Sequence, residues 1–317
     1  MASTTPPRAV TYKAATKDRG VRLDLFLKGR IPRMSREGIK EAIRTRVIVP
    51  GREAVRPSTL LREGEEVVVT YAVAEKAAPG SFPDLTILLE DESVLVVDKP
   101  AGLRVHATAS APGPSLLGCL ASRGEDLRLV HRLDKETSGV VVLARSREAA
   151  RALSKAFAAG EVGKTYTGIV FGEIEKGTGL VDLPLGAAKG SAVHIKQAVN
   201  TEAGRRAVSE YRVLERFRGF TVVEIRPRTG RRHQIRVHMK AIGHPLVGDK
   251  LYGSRESHHL RFLERGMDER MLGELKAERQ LLHASRVVFL HPGGTGPVRV
   301  EAPLPEDMVR FIAGHRS

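Results

Sequence analysis

The stretch Leu129-Val130-His131-Arg132-Leu133-Asp134-Lys135-Glu136-Thr137-Ser138-Gly139-Val140-Val141-Val142-Leu143 leads an apolar run into a polar loop and a β-branched run out of it. That pattern predicts strand, loop, strand, with Ser138-Gly139 as the turn signal. The loop presents one carboxylate, Asp134, with Arg132 and Lys135 close in sequence. Glu136 is a second carboxylate, expected to point elsewhere. The residues by themselves leave two readings of Asp134 open. Aspartates in short loops often accept backbone hydrogen bonds and shape the turn. A carboxylate held between two buried strands is also well placed for chemistry, because rigid elements fix its position.

The composition narrows the partner. A chain of 317 residues with 41% hydrophobic content can build one large domain and a small one. Lysines and arginines number 52 against 37 acids, a net charge of +15. Such a field favours a polyanion, most often nucleic acid, with an anionic membrane as the competitor. No apolar run approaches the ~20 residues that span a bilayer. Met1 to Pro7 has no apolar signal core, so a cytoplasmic protein is expected. Cys119 is the single cysteine, which excludes an intrachain disulfide and suits a reducing compartment. Zinc-ligand spacing is absent, and no metal is expected. Aromatics are 4% and Trp is missing, too few for stacking along a single strand. One or two placed aromatics would still hold a single flipped base.

Outward from the central stretch, residues 1–17 carry Thr, Pro and Lys without periodicity and are expected to be a disordered tail. Residues 18–72 read as a small domain. Leu23, Phe26 and Leu27 form one helical face, ended by Pro32. Ser35 caps a second helix with Ile39, Ala42 and Ile43 inward and Arg36, Lys40 and Arg44 outward. Strands follow at 46–49, before the Pro50-Gly51 turn, and at 65–69. Residues 73–83 read as a linker, and 84–317 as the large domain. Within it, 85–89 and 94–97 form a hairpin, and Ser146 caps a helix from Arg147 to Ala159 stopped by Gly160. Strands are expected at 164–170, 209–217 and 220–226, with short strands and a loop at 177–204. A helix from about Arg232 to Gly243 would stack Arg232, Arg236 and Lys240 on one face, with Ile235, Met239 and Ile242 as its apolar stripe. Its start after Thr229-Gly230 is a potential anion site. Residues 254–280 read as peripheral helices, with His258 and His259 on the surface.

His131-Arg132-Leu133-Asp134 followed by Thr137-Ser138-Gly139 resembles the signature of the RluA/RluD-type pseudouridine synthases, which modify ribosomal and transfer RNA. Lys99-Pro100-x-Gly102, Lys164-x-Tyr166, the run from Thr229 to Arg236 and the C-terminal 282–292 and 301–305 match further motifs of that family. The likeness spans essentially everything past the first twenty residues. The N-terminal order of helix, basic helix, strand, turn, strand resembles the S-four RNA-binding domain, through Arg22-Leu23-Asp24, Ser35-Arg36 and Val47-Ile48-Val49. Pro50 departs from it, an Asn being commoner there.

The resemblance implies an α+β pseudouridine synthase fold: a largely antiparallel mixed sheet with flanking helices, its cleft running across the sheet, preceded by the S-four module as a phosphate-contacting clamp. It implies an isomerase that needs no cofactor and acts as a monomer on RNA, large-subunit ribosomal RNA first and transfer RNA second. Asp134 would be the catalytic residue, Tyr166 would lie against the target base, Ile235 would line the base pocket and Arg236 would pair with Asp134. The Lys99 motif would support the loop from beneath. Arg132 would fill the gap left by the flipped uridine, with His131 and Arg231 also beside the RNA. Two other readings remain at this point. A non-catalytic RNA-binding or ribosome-assembly factor would use the fold but not Asp134. A carboxylate glycosidase would use Asp134 but not the charge.

Overall fold

The computed structural model describes residues 8–31, 36–71, 84–107, 113–122, 124, 126–193 and 195–316. The Pro32 stop, the Ser35 cap, the 73–83 linker and the first seven residues of the expected tail lie outside them. The chain divides into two compact units, Met1–Ser81 with Ala107–Pro114, and Phe82–His106 with Ser115–Ser317.

In the first unit, β1 (Arg8–Lys13), α1 (Leu23–Arg30), α2 (Arg36–Thr45), β2 (Val47–Ile48) and β3 (Glu66–Tyr71) follow in order. The strands form one sheet in the order β1-β3-β2. Leu23, Phe26 and Leu27 of α1 and Ile39, Ala42 and Ile43 of α2 bury one face of each helix against Val47, Val67 and Val69. Arg36 and Arg44 remain exposed and Lys40 half-buried on the other face of α2. The start of the chain corrects an expectation. Residues 8–13 are ordered as β1, antiparallel to β3, with Val10 opposite Val69 and Tyr12 opposite Val67. Ala9, Val10 and Tyr12 between Arg8 and Lys13 make too short an apolar pattern to signal a strand. β3 supplies the missing information, because its open edge needs a partner.

The second unit contains β4 (Thr86–Glu90), β5 (Val94–Lys99), α3 (Leu116–Ser122), β6 (Arg128–Leu129), β7 (Ser138–Ala144), α4 (Arg147–Ala159), β8 (Gly163–Phe171), β9 (Thr178–Asp182), β10 (Leu185–Ala187), β11 (Gln197–Val199), β12 (Val208–Phe217), β13 (Phe220–Pro227), α5 (Gln234–Ala241), α6 (Glu256–Arg265), α7 (Glu269–Leu275), β14 (Leu282–Leu290), β15 (Pro297–Glu301) and α8 (Glu306–His315). Ten strands make one sheet along the path β4-β5-β7-β14-β8-β13-β12-β9, with β15 on β14 and β6 on β7. Only the β7–β14 pairing is parallel. This is an α+β architecture on a largely antiparallel mixed sheet. The valine run of β7 is buried throughout: Val141 and Leu143 enter one core, Val140 and Val142 the other. A central strand covered on both faces reads as a continuous apolar run for this reason.

Helix α4 begins where Ser146 Oγ accepts the Ala149 N–H at 3.0 Å and ends at Gly160 in the left-handed conformation, φ 78°. Ser138-Gly139 is not the turn the pattern predicted; it opens β7. Gly139 adopts φ 110°, and a Cβ there would lie 2.3 Å from the Ala284 carbonyl oxygen. The glycine is needed for the close approach of β14. Among the described residues, no helix is long and apolar enough to cross a membrane.

Candidate active site

The loop between β6 and β7 is tied down at almost every residue from Asp134 onward. Lys99, at the end of β5, is fully buried, and its ammonium donates to the carbonyls of Pro100, Leu103 and Lys135 at 2.8, 2.9 and 3.3 Å. The Gly102 N–H also donates to the Lys135 carbonyl, at 2.9 Å. The Arg279 guanidinium donates to the Glu136 carbonyl at 3.1 Å, and Gln280 Nε2 to Thr137 Oγ1 at 2.8 Å. His283 Nδ1 lies 3.0 Å from Ser138 Oγ. Glu136 turns away to Lys250, 2.6 Å from its ammonium. Asp134 is thereby displayed on a rigid support, as a reactive group requires.

Lys99 gives a test of that support. Lys99→Met takes the ammonium from the Pro100 and Leu103 carbonyls, while the Lys135 carbonyl keeps the Gly102 N–H, and should lower stability by roughly 2–4 kcal/mol in denaturant unfolding. Burial, helped by Arg279, lowers the Lys99 pKa to about 7. In the unfolded chain a lysine titrates near ~10.4, so above about pH 7 the unfolded state binds the extra proton. The stability advantage of wild type over Lys99→Met therefore grows as pH rises through this window and is smallest below it. An advantage that shrinks with pH would show that the protonated amine is the stabilising form.

Asp134 Oδ2 accepts from Arg236 Nη1 at 3.0 Å. The same guanidinium is held by Asp249, through Nε at 2.7 Å and Nη2 at 2.8 Å. Asp249 also accepts the N–H groups of Leu251 and Tyr252, each at 3.0 Å. Its side chain is 0% exposed, against 26% for Asp134, so Asp134 is the carboxylate of this pair that a substrate can reach. Burial acts to raise the Asp134 pKa, but His233 and Arg236 outweigh it and hold the carboxyl below its ordinary value. His233 itself is pushed down to about 4 by burial and is neutral at pH 7, which leaves Arg236 as the charge that keeps Asp134 ionised.

His233 lies with Nε2 3.8 Å from Asp134 Oδ2. Its backbone is left-handed at φ 55°, immediately before α5. Nδ1 is 2.9 Å from Tyr252 Oη, which accepts the Gln197 N–H at 2.9 Å. The Tyr252 ring carries the Arg236 guanidinium 4.9 Å from its centroid. Asp249, Tyr252, His233 and Arg236 thus form one bonded set behind the carboxylate.

In front of it is a cavity of about 470 Å³, lined by Asp134, Tyr166, Ile235 and Leu282 and by Arg132, Arg231 and Arg232 among the basic residues. Among its lining residues Asp134 is the only carboxylate. Tyr166 is packed against both adjoining cores, and burial together with Asp134 raises its pKa, so it stays a neutral phenol. Gln234 braces the α5 entrance: Oε1 accepts from Thr229 Oγ1 and the Arg231 N–H, and Nε2 donates to the Val208 carbonyl.

The structure brings Asp134, Tyr166, Ile235, Arg236, Arg132, Arg231 and His131 to one cavity. His131 is half-buried; Nε2 accepts the Val142 N–H at 2.9 Å and its ring stacks on Phe157. Burial pushes its pKa to about 3, so it meets a substrate as a neutral ring. The expected three-cation face does not form. α5 starts at Gln234, after the left-handed His233, so Arg232 lies outside the helix and is exposed there, while on the helix Arg236 is buried between two carboxylates and Lys240 faces solvent. His259 is half-buried rather than on the surface. Asp249, Tyr252, His233 and Arg279 were not foreseen. Asp249 follows Leu246-Val247-Gly248, an apolar run closed by glycine, and that context could have marked it.

A family model described as RNA pseudouridylate synthase matches residues 93–241. The chain is 40% identical over 306 residues to ribosomal large subunit pseudouridine synthase D of Xanthomonas campestris pv. campestris, covering 94% of this chain and 89% of that protein. It is 35% identical over 313 residues to the Escherichia coli protein of the same name, covering 96% and 93%. Among solved structures, human RNA pseudouridylate synthase domain containing 4 aligns with a TM-score of 0.55 at 25% identity, over 72% of this chain and 92% of that one. With the motifs of the RluA/RluD type laid out around one carboxylate, the chain belongs to the RNA pseudouridylate synthase family, a family of isomerases acting on RNA.

Proposed function

We propose that this enzyme converts specific uridines of structured large-subunit ribosomal RNA to pseudouridine, with Asp134 as the catalytic carboxylate. The observation that carries the assignment of Asp134 is its place as the only carboxylate lining the cavity, ion-paired to Arg236 and partly open. The reaction breaks the N-glycosidic bond, turns the uracil and rejoins it through C5. No group enters or leaves, so one ionised carboxylate at the ribose or base suffices. Hydrolytic glycosidases pair two carboxylates across the scissile bond, and the lining here supplies one. Instead the base must be retained. Tyr166 and Ile235 are suited to that task as an aromatic and an apolar wall, and Arg132, exposed beside the loop, to replacing the flipped uridine in its stack.

The ribosomal target rests on the names of the relatives, which are ribosomal large subunit enzymes. The helix pair and sheet of the first unit, with Arg36, Lys40 and Arg44 on one face of α2, support its reading as an S-four RNA clamp. Cation–phosphate contacts of that kind add affinity without sequence readout. We place the enzyme in the cytoplasm as a monomer, in keeping with its single buried cysteine and with the family resemblance. The test is a pseudouridine map of total RNA from cells lacking the protein, complemented with wild type or Asp134→Asn. A large-subunit uridine modified only with wild type is the expected result. Identical maps from the two strains would remove Asp134 as catalyst, and a modified uridine in transfer RNA alone would move the target.

A further inference from the structure

The buried cations of the second unit are tied to oxygens. Lys99 bonds carbonyls, Lys250 bonds Glu136 and the Glu278 carbonyl, Arg236 bonds two aspartates, and Arg279 bonds Asp307 and three carbonyls. Lys164 differs. It is half-buried on β8, and among the described residues its ammonium has no hydrogen-bond or ion-pair partner. Burial alone acts on it, lowering its pKa with no opposing contribution. A cation that has lost part of its hydration and gained no counter-charge is a cost to the free protein, and an arriving anion removes that cost.

Its position says which anion. Lys164 lines the same cavity as Asp134 and Tyr166. Residues two apart on a strand share a face, about 7 Å from one another, which is the span of one nucleotide. A Cβ added to Gly230 would lie 3.8 Å from Nζ, so the ammonium sits under the Gly230 turn. It is near enough to His131 to oppose its protonation, and Ser154 and Phe157 of α4 line the same cavity. The cavity therefore extends from the Asp134 and Tyr166 side chains to the Lys164 ammonium.

We propose that the part of the cavity around Lys164 is a phosphate subsite that takes the phosphodiester adjoining the target uridine. The proposal rests on the pseudouridine synthase reading. Tyr166 then faces the base while Lys164, one nucleotide-length along β8, fixes the backbone, and the flipped nucleotide is held at two points with Asp134 between them.

The test is a double-mutant cycle between protein and RNA. The RNA is a large-subunit stem-loop carrying the mapped uridine, with its native backbone or with a neutral methylphosphonate on either side of that uridine. Lys164→Gln should raise KM about tenfold with little change in kcat, and should flatten the salt dependence of binding by about one counterion. One of the methylphosphonates should cost wild type a similar factor and cost Lys164→Gln nothing more. Lys164→Arg should restore most of the loss. The proposal is overturned if the two losses multiply, or if Lys164→Gln lowers kcat and leaves KM alone. The wider reading fails differently, in wild type that forms no pseudouridine in any RNA; anisotropy binding of the same RNAs then reads the Lys164–phosphate coupling directly.

Discussion

Asp134→Asn lowers the rate of pseudouridine formation by at least about 10⁴-fold, the scale on which removal of an essential nucleophile is felt. The substitution is close to isosteric. Its Oδ1 still accepts from Arg236 Nη1, and Arg236 keeps both of its bonds to Asp249, so the fold and the RNA affinity should survive within a few-fold. Single-turnover release of tritium from RNA labelled at uridine C5 measures the loss, and filter binding measures the affinity. Turnover within tenfold of wild type would show that another group does the chemistry. At fixed RNA the wild-type rate should fall as pH drops through the Asp134 pKa. Because His233 and Arg236 together hold that pKa below the ordinary carboxylate range, the acid limb should lie below the value for an unperturbed aspartate.

Arg236→Met has the second large effect, and it acts on stability as well as rate. Asp249 is buried and would keep two backbone N–H donors but lose its counter-charge. Breaking a buried pair by removing one partner costs about 3–5 kcal/mol. Asp134 loses its only permanently charged partner at the same time, so its pKa rises and the acid limb of the rate profile moves to higher pH. Arg236→Lys separates the two effects. It retains a cation near both carboxylates but cannot serve three oxygens with one fork, so it should fold better than the Met variant and still turn over slowly. Chemical denaturation and the pH profile of kcat check the two consequences independently. An Arg236→Met enzyme with wild-type stability would show that Asp249 does not depend on the guanidinium.

Local signals in the chain translated well into structure. The valine run of β7, the Ser146 cap and Gly160 stop of α4, and the apolar faces of α1 and α2 each depend on neighbours within a few residues. The candidate site was legible where a motif carried it, at Asp134, Tyr166, Ile235 and Arg236. What escaped was set by distant partners. β1 exists because β3 has an edge to cover. Gly139 looked like a turn residue and instead admits the β14 backbone. The face of α5 was misjudged because helical spacing says which residues align, while Asp134 and Asp249 decide where Arg236 points. Asp249 and Tyr252 are one short loop away from α5 in sequence, but nothing local ties them to Asp134.

The parallel seam between β7 and β14 has a consequence for how the enzyme comes into being. Ser138 and His283, which face each other across it, are 145 residues apart, and the Arg279 and Gln280 bonds to the Asp134 loop each span 143. Contacts of such separation close late, because the intervening chain must be ordered first. On the ribosome the loop bearing Asp134 emerges long before the residues that brace it. A nascent chain therefore displays the signature sequence without the rigid carboxylate, and catalytic competence arrives only when β14 docks. An enzyme whose proposed substrate is the RNA of the machine that synthesises it is thus inactive toward that machine until β14 has been made and has docked.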